Sequence, residues 1–165
     1  MCKDKAIVFL EMAKTLAQLG TCDRAQVGAI IIKDGRCISW GYNGAPPGLP
    51  HCDGNHHGWK DYLPETIIHD QELKWVNVQL QVHGCRNTTH AEANALAFAA
   101  RQGISTDGAQ LFTTVSPCET CSKLIIAAGI TDVFFSEEYR DPAGIKLLDK
   151  ACVYTHNYGT LEYGE

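Results

Sequence analysis

His90-Ala91-Glu92 and Pro117-Cys118-Glu119-Thr120-Cys121 constrain this chain more than any other stretch of it. One imidazole and two thiolates can bind a zinc ion and leave its fourth, tetrahedral position open. The carboxylate of Glu92, two residues from the histidine, is too close to be a convenient fourth ligand. It is well placed to act on whatever occupies the open position. Both motifs fall where a loop enters a helix: His90 opens one helix and Cys118 the next, with Pro117 at a position compatible with a helix start. A fold that holds the ion has to bring those two helix starts together.

The size of the chain fits one domain. Its 165 residues suffice for one well-packed core and are too few for two comfortable ones. A net charge of −5 and the lack of a lysine/arginine run argue against a footprint for polymeric DNA or RNA. A small phosphorylated ligand needs only one or two well-placed cations and stays compatible. Eight cysteines invite a disulfide framework. The start, Met1-Cys2-Lys3-Asp4-Lys5, does not read as a signal peptide, however, and no apolar run reaches membrane-spanning length. The expectation is a cytoplasmic protein with no membrane partner, in which Cys118 and Cys121 are metal ligands rather than a redox pair. Cys2, Cys37 and Cys152 read as small apolar residues or surface thiols.

Ala6 to Leu19 carries apolar residues at helical spacing up to Gly20 and predicts a first helix. Val27 to Ile32 is a continuous β-branched run, as in a strand covered on both faces. Asp34-Gly35 predicts a tight hairpin returning through Arg36 to Tyr42. A Gly/Pro/Asn-rich loop follows from Asn43 to Pro50. The segment at about 53–84 has little regular pattern and reads as an insertion covering the site. Beyond it the pattern predicts a helix from His90 to Arg101, a strand from Gln110 to Val115 and a helix from Cys118 to Ala128. A strand from Thr131 to Phe135, a short helix from Pro142 to Lys150 and a strand near Cys152 to Thr155 complete the order. Strand–helix–strand succession implies right-handed crossovers and parallel pairing. The predicted architecture is α/β: a three-layer α/β/α sandwich on a mixed five-stranded sheet, with the whole of 1–165 forming one domain.

Helix N-termini present unpaired amides and the positive end of the helix dipole, which stabilises thiolates at Cys118 and Cys121. Three residues apart in a helix, the two share one face. An ion held there lowers the pKa of a coordinated water towards about 7, and Glu92 is the candidate base for that water's proton. The alternative for Glu92 is a solvated first-turn glutamate favoured by the dipole. The alternative for the metal is a purely structural zinc, which needs a fourth protein ligand that His-x-Glu does not supply.

The paired motifs resemble the zinc site of the cytidine/deoxycytidylate deaminase superfamily. Further stretches resemble its deoxycytidylate (dCMP) deaminase branch: Cys22-Asp23-Arg24-Ala25-Gln26-Val27-Gly28-Ala29-Ile30-Ile31, Gly41-Tyr42-Asn43-Gly44-Ala45-Pro46, His90-Ala91-Glu92-Ala93-Asn94-Ala95, Ser116-Pro117-Cys118 and Glu138-Tyr139-Arg140. Outside the insertion the resemblance covers nearly the whole chain. It implies a cytidine-deaminase-like fold and hydrolysis of dCMP to dUMP and ammonia, feeding thymidylate synthesis. Glu92 would pass a proton to ring nitrogen 3 of cytosine and then to the departing ammonia. Asn43 would hydrogen-bond the sugar and Tyr139 would contact the nucleotide. Arg24 and Arg140 are candidates for the monophosphate, since guanidinium pairs bidentately with phosphate oxygens. The alternatives are ordinary surface arginines, and for Asn43 a turn residue tolerating a left-handed backbone.

The resemblance also implies a second, structural zinc on Cys22, Cys52 and Cys85. His83 is the nearest fourth ligand, with His51, His56 and His57 as competitors, and Gly84 separates His83 from Cys85 where relatives often have His-Cys adjacent. Activation by dCTP, inhibition by dTTP, magnesium accompanying the nucleotide effector and a homohexamer built from dimers are implied in the same way. The helix Ala91 to Ala100, with Phe98 and Arg101 near its end, is a candidate subunit contact. The rivals are a transfer-RNA adenosine deaminase, which shares His-Ala-Glu and Pro-Cys-x-x-Cys, and a non-catalytic zinc scaffold or nucleotide-sensing regulator. The last predicts a missing or occluded Glu92.

Overall fold

The computed structural model describes residues 4–22, 25–51 and 88–159. The expected insertion at about 53–84 lies outside the described residues. Helix α1 (Lys5–Ala17) is capped by Asp4, whose carboxylate accepts the N–H of Ala6 at 3.0 Å. Strands β1 (Gly28–Lys33) and β2 (Arg36–Tyr42) form the expected hairpin. Its turn residues, Asp34 and Gly35, both have positive φ (52° and 72°), the backbone a two-residue hairpin loop needs. Then follow α2 (Ala91–Arg101), β3 (Gln110–Val115), α3 (Glu119–Ala127), β4 (Asp132–Glu137), α4 (Ala143–Lys150) and β5 (Tyr154–Asn157).

The sheet runs in the order β2-β1-β3-β4-β5. β1 is antiparallel to both neighbours, whereas β3–β4 and β4–β5 are parallel. The mixed sheet therefore has the expected character, with α3 and α4 as the crossovers between parallel strands. The continuous apolar run of β1 is explained by its two covered faces. Ile30 and Ile32 pack with Ala6, Leu10 and Ala13 of α1, together with Phe112 and Phe134. Ala29 and Ile31 pack on the opposite side with Ala91 and Ala95 of α2, Ile125 of α3 and Leu148 of α4. Among the described residues, one helix on one face and three on the other make the three layers. Apolar burial on both faces, about 25 cal/mol per Å² removed from water, supplies the main stabilisation.

Several element ends differ from expectation, each for a local reason. α2 and α3 start one residue later than His90 and Cys118, because both residues keep an extended backbone (ψ 153° and 169°) and serve as N-caps. Cys118 and Cys121 are thus not two residues of one helical face: one precedes the helix and the other lies in its first turn. α1 stops at Ala17, after which Gln18, Leu19 and Gly20 donate to carbonyls three residues back in a tightened turn. β5 begins at Tyr154 because Cys152 turns through a positive φ of 59° before pairing starts at Asp132 opposite Tyr154.

Candidate active site and metal centre

Two N-caps and one loop crossing build the site. β3 ends at Val115, and Ser116-Pro117-Cys118 leads directly into α3. His90 arrives from another direction: the residue before it, Thr89, exchanges two backbone hydrogen bonds with Gly44 (3.1 and 2.9 Å). That bridge ties the start of α2 to the loop after β2 and sets His90 beside the cysteine turn.

The His90 Nδ1 atom lies 3.5 Å from the Cys118 sulfur and 3.4 Å from the Cys121 sulfur. Bond lengths of about 2.0–2.1 Å to nitrogen and about 2.3 Å to sulfur at a tetrahedral angle require a nitrogen–sulfur separation of about 3.6 Å. Both nitrogen–sulfur separations therefore match a zinc coordination shell, and all three donor atoms lie within 4.8 Å of one another. Among the described residues no other His, Cys, Asp or Glu joins this group, so the structural-zinc alternative finds no fourth ligand there.

Charges at the site point the same way. A hydrogen bond to Cys121, helped by His90, pulls the Cys118 thiol down to about 3 against the effect of burial. The same bond to Cys118, together with burial, pushes the Cys121 thiol up. Contact with Cys118 raises the His90 imidazole against its own burial. Two sulfurs and an imidazole so close together compete for protons, and a divalent cation relieves that competition by allowing both sulfurs to be thiolates.

Glu92 is 4% exposed and lies in the first turn of α2. It is not a solvated helix-start glutamate. Burial raises its pKa above the usual carboxylate value, partly offset by its own backbone N–H and the His90 charge. A carboxyl tuned upwards is suited to exchanging protons near neutral pH.

These residues face a cavity of about 290 Å³, whose lining includes His90, Glu92 and Cys118 together with Glu138, Tyr139 and Arg140. Cys22, Asn43, Thr88, Val115 and Ser116 contribute to its wall. Asn43 is buried and braces the 25–27 segment, accepting the Val27 N–H and donating to the Ala25 carbonyl, both at 2.7 Å. It is not among the residues of positive φ, so its place is not explained by a left-handed turn. The Arg140 guanidinium carbon lies 5.5 Å from the centre of the Tyr139 ring.

Of the expected site residues, His90, Glu92, Cys118, Asn43, Tyr139, Arg140 and Cys22 share the cavity, and Cys121 completes the metal cluster. Arg24, Cys52, His83 and Cys85 lie outside the described residues. Ser116 received no role from the sequence, although it stood in a motif. Gly144 was missed altogether: a methyl group at Gly144 would overlap the Pro117 carbonyl oxygen and come within 2.8 Å of the Cys118 carbonyl carbon. Nothing in a lone glycine of a short helix announces such a contact.

The family described as cytidine and deoxycytidylate deaminase zinc-binding region matches residues 3–137. The deoxycytidylate deaminase of Enterobacteria phage T2 is 38% identical over 178 residues, spanning 96% of this chain and 95% of the relative. That of Enterobacteria phage T4 is 35% identical, covering 82% and 79%. The crystal structure of dCMP deaminase from cyanophage S-TIM5 in complex with dCMP and dUMP superposes with a TM-score of 0.74 at 30% identity, covering 95% of this chain and 98% of that one. By the match over residues 3–137 and the His90–Cys118–Cys121 cluster within it, this chain belongs to the cytidine and deoxycytidylate deaminase zinc-binding family.

Proposed function

We propose that this protein is a zinc-dependent hydrolase that converts dCMP to dUMP and ammonia, supplying dUMP for thymidylate synthesis. The observation that carries the reading is the buried carboxylate of Glu92 beside three donors at zinc spacing, open to a cavity large enough for a pyrimidine. The named activity of the phage relatives and the ligands of the cyanophage structure support the choice of substrate.

His90, Cys118 and Cys121 would hold the zinc, which when bound supplies a water acidified to about neutral pKa. Glu92 would accept one proton from that water and deliver it to ring nitrogen 3 as the water oxygen adds to carbon 4 of cytosine. It would then move the remaining proton of that oxygen to the amino group, so that the bond from carbon 4 to nitrogen breaks, ammonia departs and the carbonyl of dUMP remains. Tyr139 and Arg140 receive the nucleotide at the rim, Arg140 with Arg24 as the cations for the monophosphate. Asn43 already spends one donor and one acceptor on the backbone, and its second amide proton serves the sugar.

We infer further a single domain with an insertion at about 53–84, and a second zinc on Cys22, Cys52, Cys85 and His83. Effector control by dCTP and dTTP with magnesium, a homohexamer and a cytoplasmic location complete the reading. Among the described helices none is long and apolar enough to cross a membrane.

Turnover on two substrates tests the central claim. Ammonia released from dCMP, and not from adenosine in transfer RNA, is the expected result, and chelation of the metal should abolish it. Release from transfer RNA alone, or from neither, overturns the assignment. Metal content near two ions per chain supports the second zinc, and near one rules it out.

A further inference from the structure

β3 and β4 pair in parallel as far as Val115 opposite Glu137. Beyond that register the two chains must part, one turning through Pro117 into α3 and the other towards α4. Ser116 spans the gap with two bonds. Its backbone N–H donates to the Glu137 carbonyl at 2.8 Å, and its hydroxyl oxygen accepts the N–H of Tyr139, also at 2.8 Å. The chain turns away at Pro117, and the Tyr139 N–H takes its acceptor from the Ser116 side chain in place of a further backbone ladder bond.

Ser116 is 4% exposed and lies in the cavity wall, two residues before the ligand Cys118. The amide it holds belongs to Tyr139, which lines the same cavity and is part of the proposed nucleotide rim, and Arg140 follows directly. One hydroxyl thus links the turn that carries the cysteines to the 138–140 segment of the cavity wall.

We propose that Ser116 is a positioning residue for the nucleotide: by holding the Tyr139 amide, its hydroxyl keeps the Tyr139–Arg140 rim in register with the cysteine turn and so sets nucleotide affinity. This rests on the reading of the cavity as a cytosine-nucleotide site. Losing the hydroxyl leaves the backbone bond from Ser116 to Glu137 in place, along with the whole β3–β4 ladder. The expected change is a displaced rim, with Glu92 and the metal donors undisturbed on α2 and the cysteine turn.

Steady-state kinetics on dCMP with the zinc-loaded full chain test this. Ser116→Ala should raise KM about tenfold or more while kcat stays within about twofold and metal content is unchanged. Ser116→Thr, which keeps an acceptor oxygen, should recover most of the loss. Amide exchange at Tyr139 should accelerate in the alanine variant and not in the threonine variant. An unchanged KM in Ser116→Ala overturns the proposal, as does a joint fall of kcat and bound metal, which would mark Ser116 as support for the cysteines alone. Tyr139→Ala separates the two levels. If it raises KM and Ser116→Ala does not, only the link fails; if it leaves KM unaltered, the assignment of the rim to the nucleotide fails with it.

Discussion

Gly144, the second residue of α4, lies directly against the peptide joining Pro117 to the metal-ligand candidate Cys118. The third neighbour of that missing side chain is the Ser122 hydroxyl, 2.9 Å from where a Cβ would be, and that hydroxyl is buried without a hydrogen-bond partner among the described residues. Helix α4 therefore backs the cysteine turn at closest approach, and the turn has no room to retreat.

Replacing Gly144 by alanine is expected to destabilise the protein by about 1–3 kcal/mol, the usual cost of overpacking, and to weaken metal binding as well. The nearest atoms are backbone, so the Pro117–Cys118 peptide or α4 itself must move. Metal affinity from a chelator competition, alongside a denaturation curve, checks both. Ile145→Ala provides the comparison, since it weakens α4 packing without crowding the turn. A loss of stability with unaltered metal affinity would contradict the prediction.

Glu92→Gln should retain metal and lose about a hundred- to ten-thousandfold in kcat. Glutamine preserves size and one acceptor but cannot take up and release a proton. Elemental analysis establishes that the centre is intact before rates are compared. Turnover within a few-fold of the parent would remove Glu92 from its assigned role.

Asn43 holds two backbone groups of the 25–27 segment. Asn43→Ala removes the partners of the Val27 N–H and the Ala25 carbonyl, and each of these part-buried bonds is worth about 0.5–1.5 kcal/mol. Asn43→Asp keeps an acceptor for Val27 and loses the donor to Ala25, so it should fall between the two. Urea denaturation gives the order. A higher KM is expected for both variants because the segment they release is a wall of the cavity.

Tyr158 donates its hydroxyl proton to Asp4 at 3.2 Å, joining the chain just after β5 to the cap of α1. Burial, then the Asp4 charge, raise the tyrosine above its ordinary value of 10.0. A raised acid is favoured in its neutral form by the fold. Its stabilising contribution is complete below pH 10 and disappears as pH climbs through the higher folded-state value. Tyr158→Phe should lower the unfolding midpoint at neutral pH by about 1–2 °C and flatten the decline above pH 10. Thermal unfolding at pH 8 and pH 10.5 compares the two proteins; equal alkaline slopes would show that the pair is not coupled to folding.

How much of this could be read without coordinates depends on range. The donor set His90, Cys118 and Cys121, the carboxylate of Glu92, the Asp34-Gly35 hairpin and the doubly covered run of β1 are local patterns, written in residue type and spacing along a few turns of chain. Element ends were less legible: whether His90 and Cys118 begin their helices or cap them depends on one dihedral angle, which composition does not encode. The contacts that tune the site lay beyond reach. Glu92 acquires its raised pKa from neighbours distant in the chain, Asn43 turns out to brace residues 25 and 27, and the roles of Ser116 and Gly144 arise where β4 and α4 meet the cysteine turn. Residue chemistry is inherited from the chain, whereas burial and distance come into being only when segments far apart in sequence pack together.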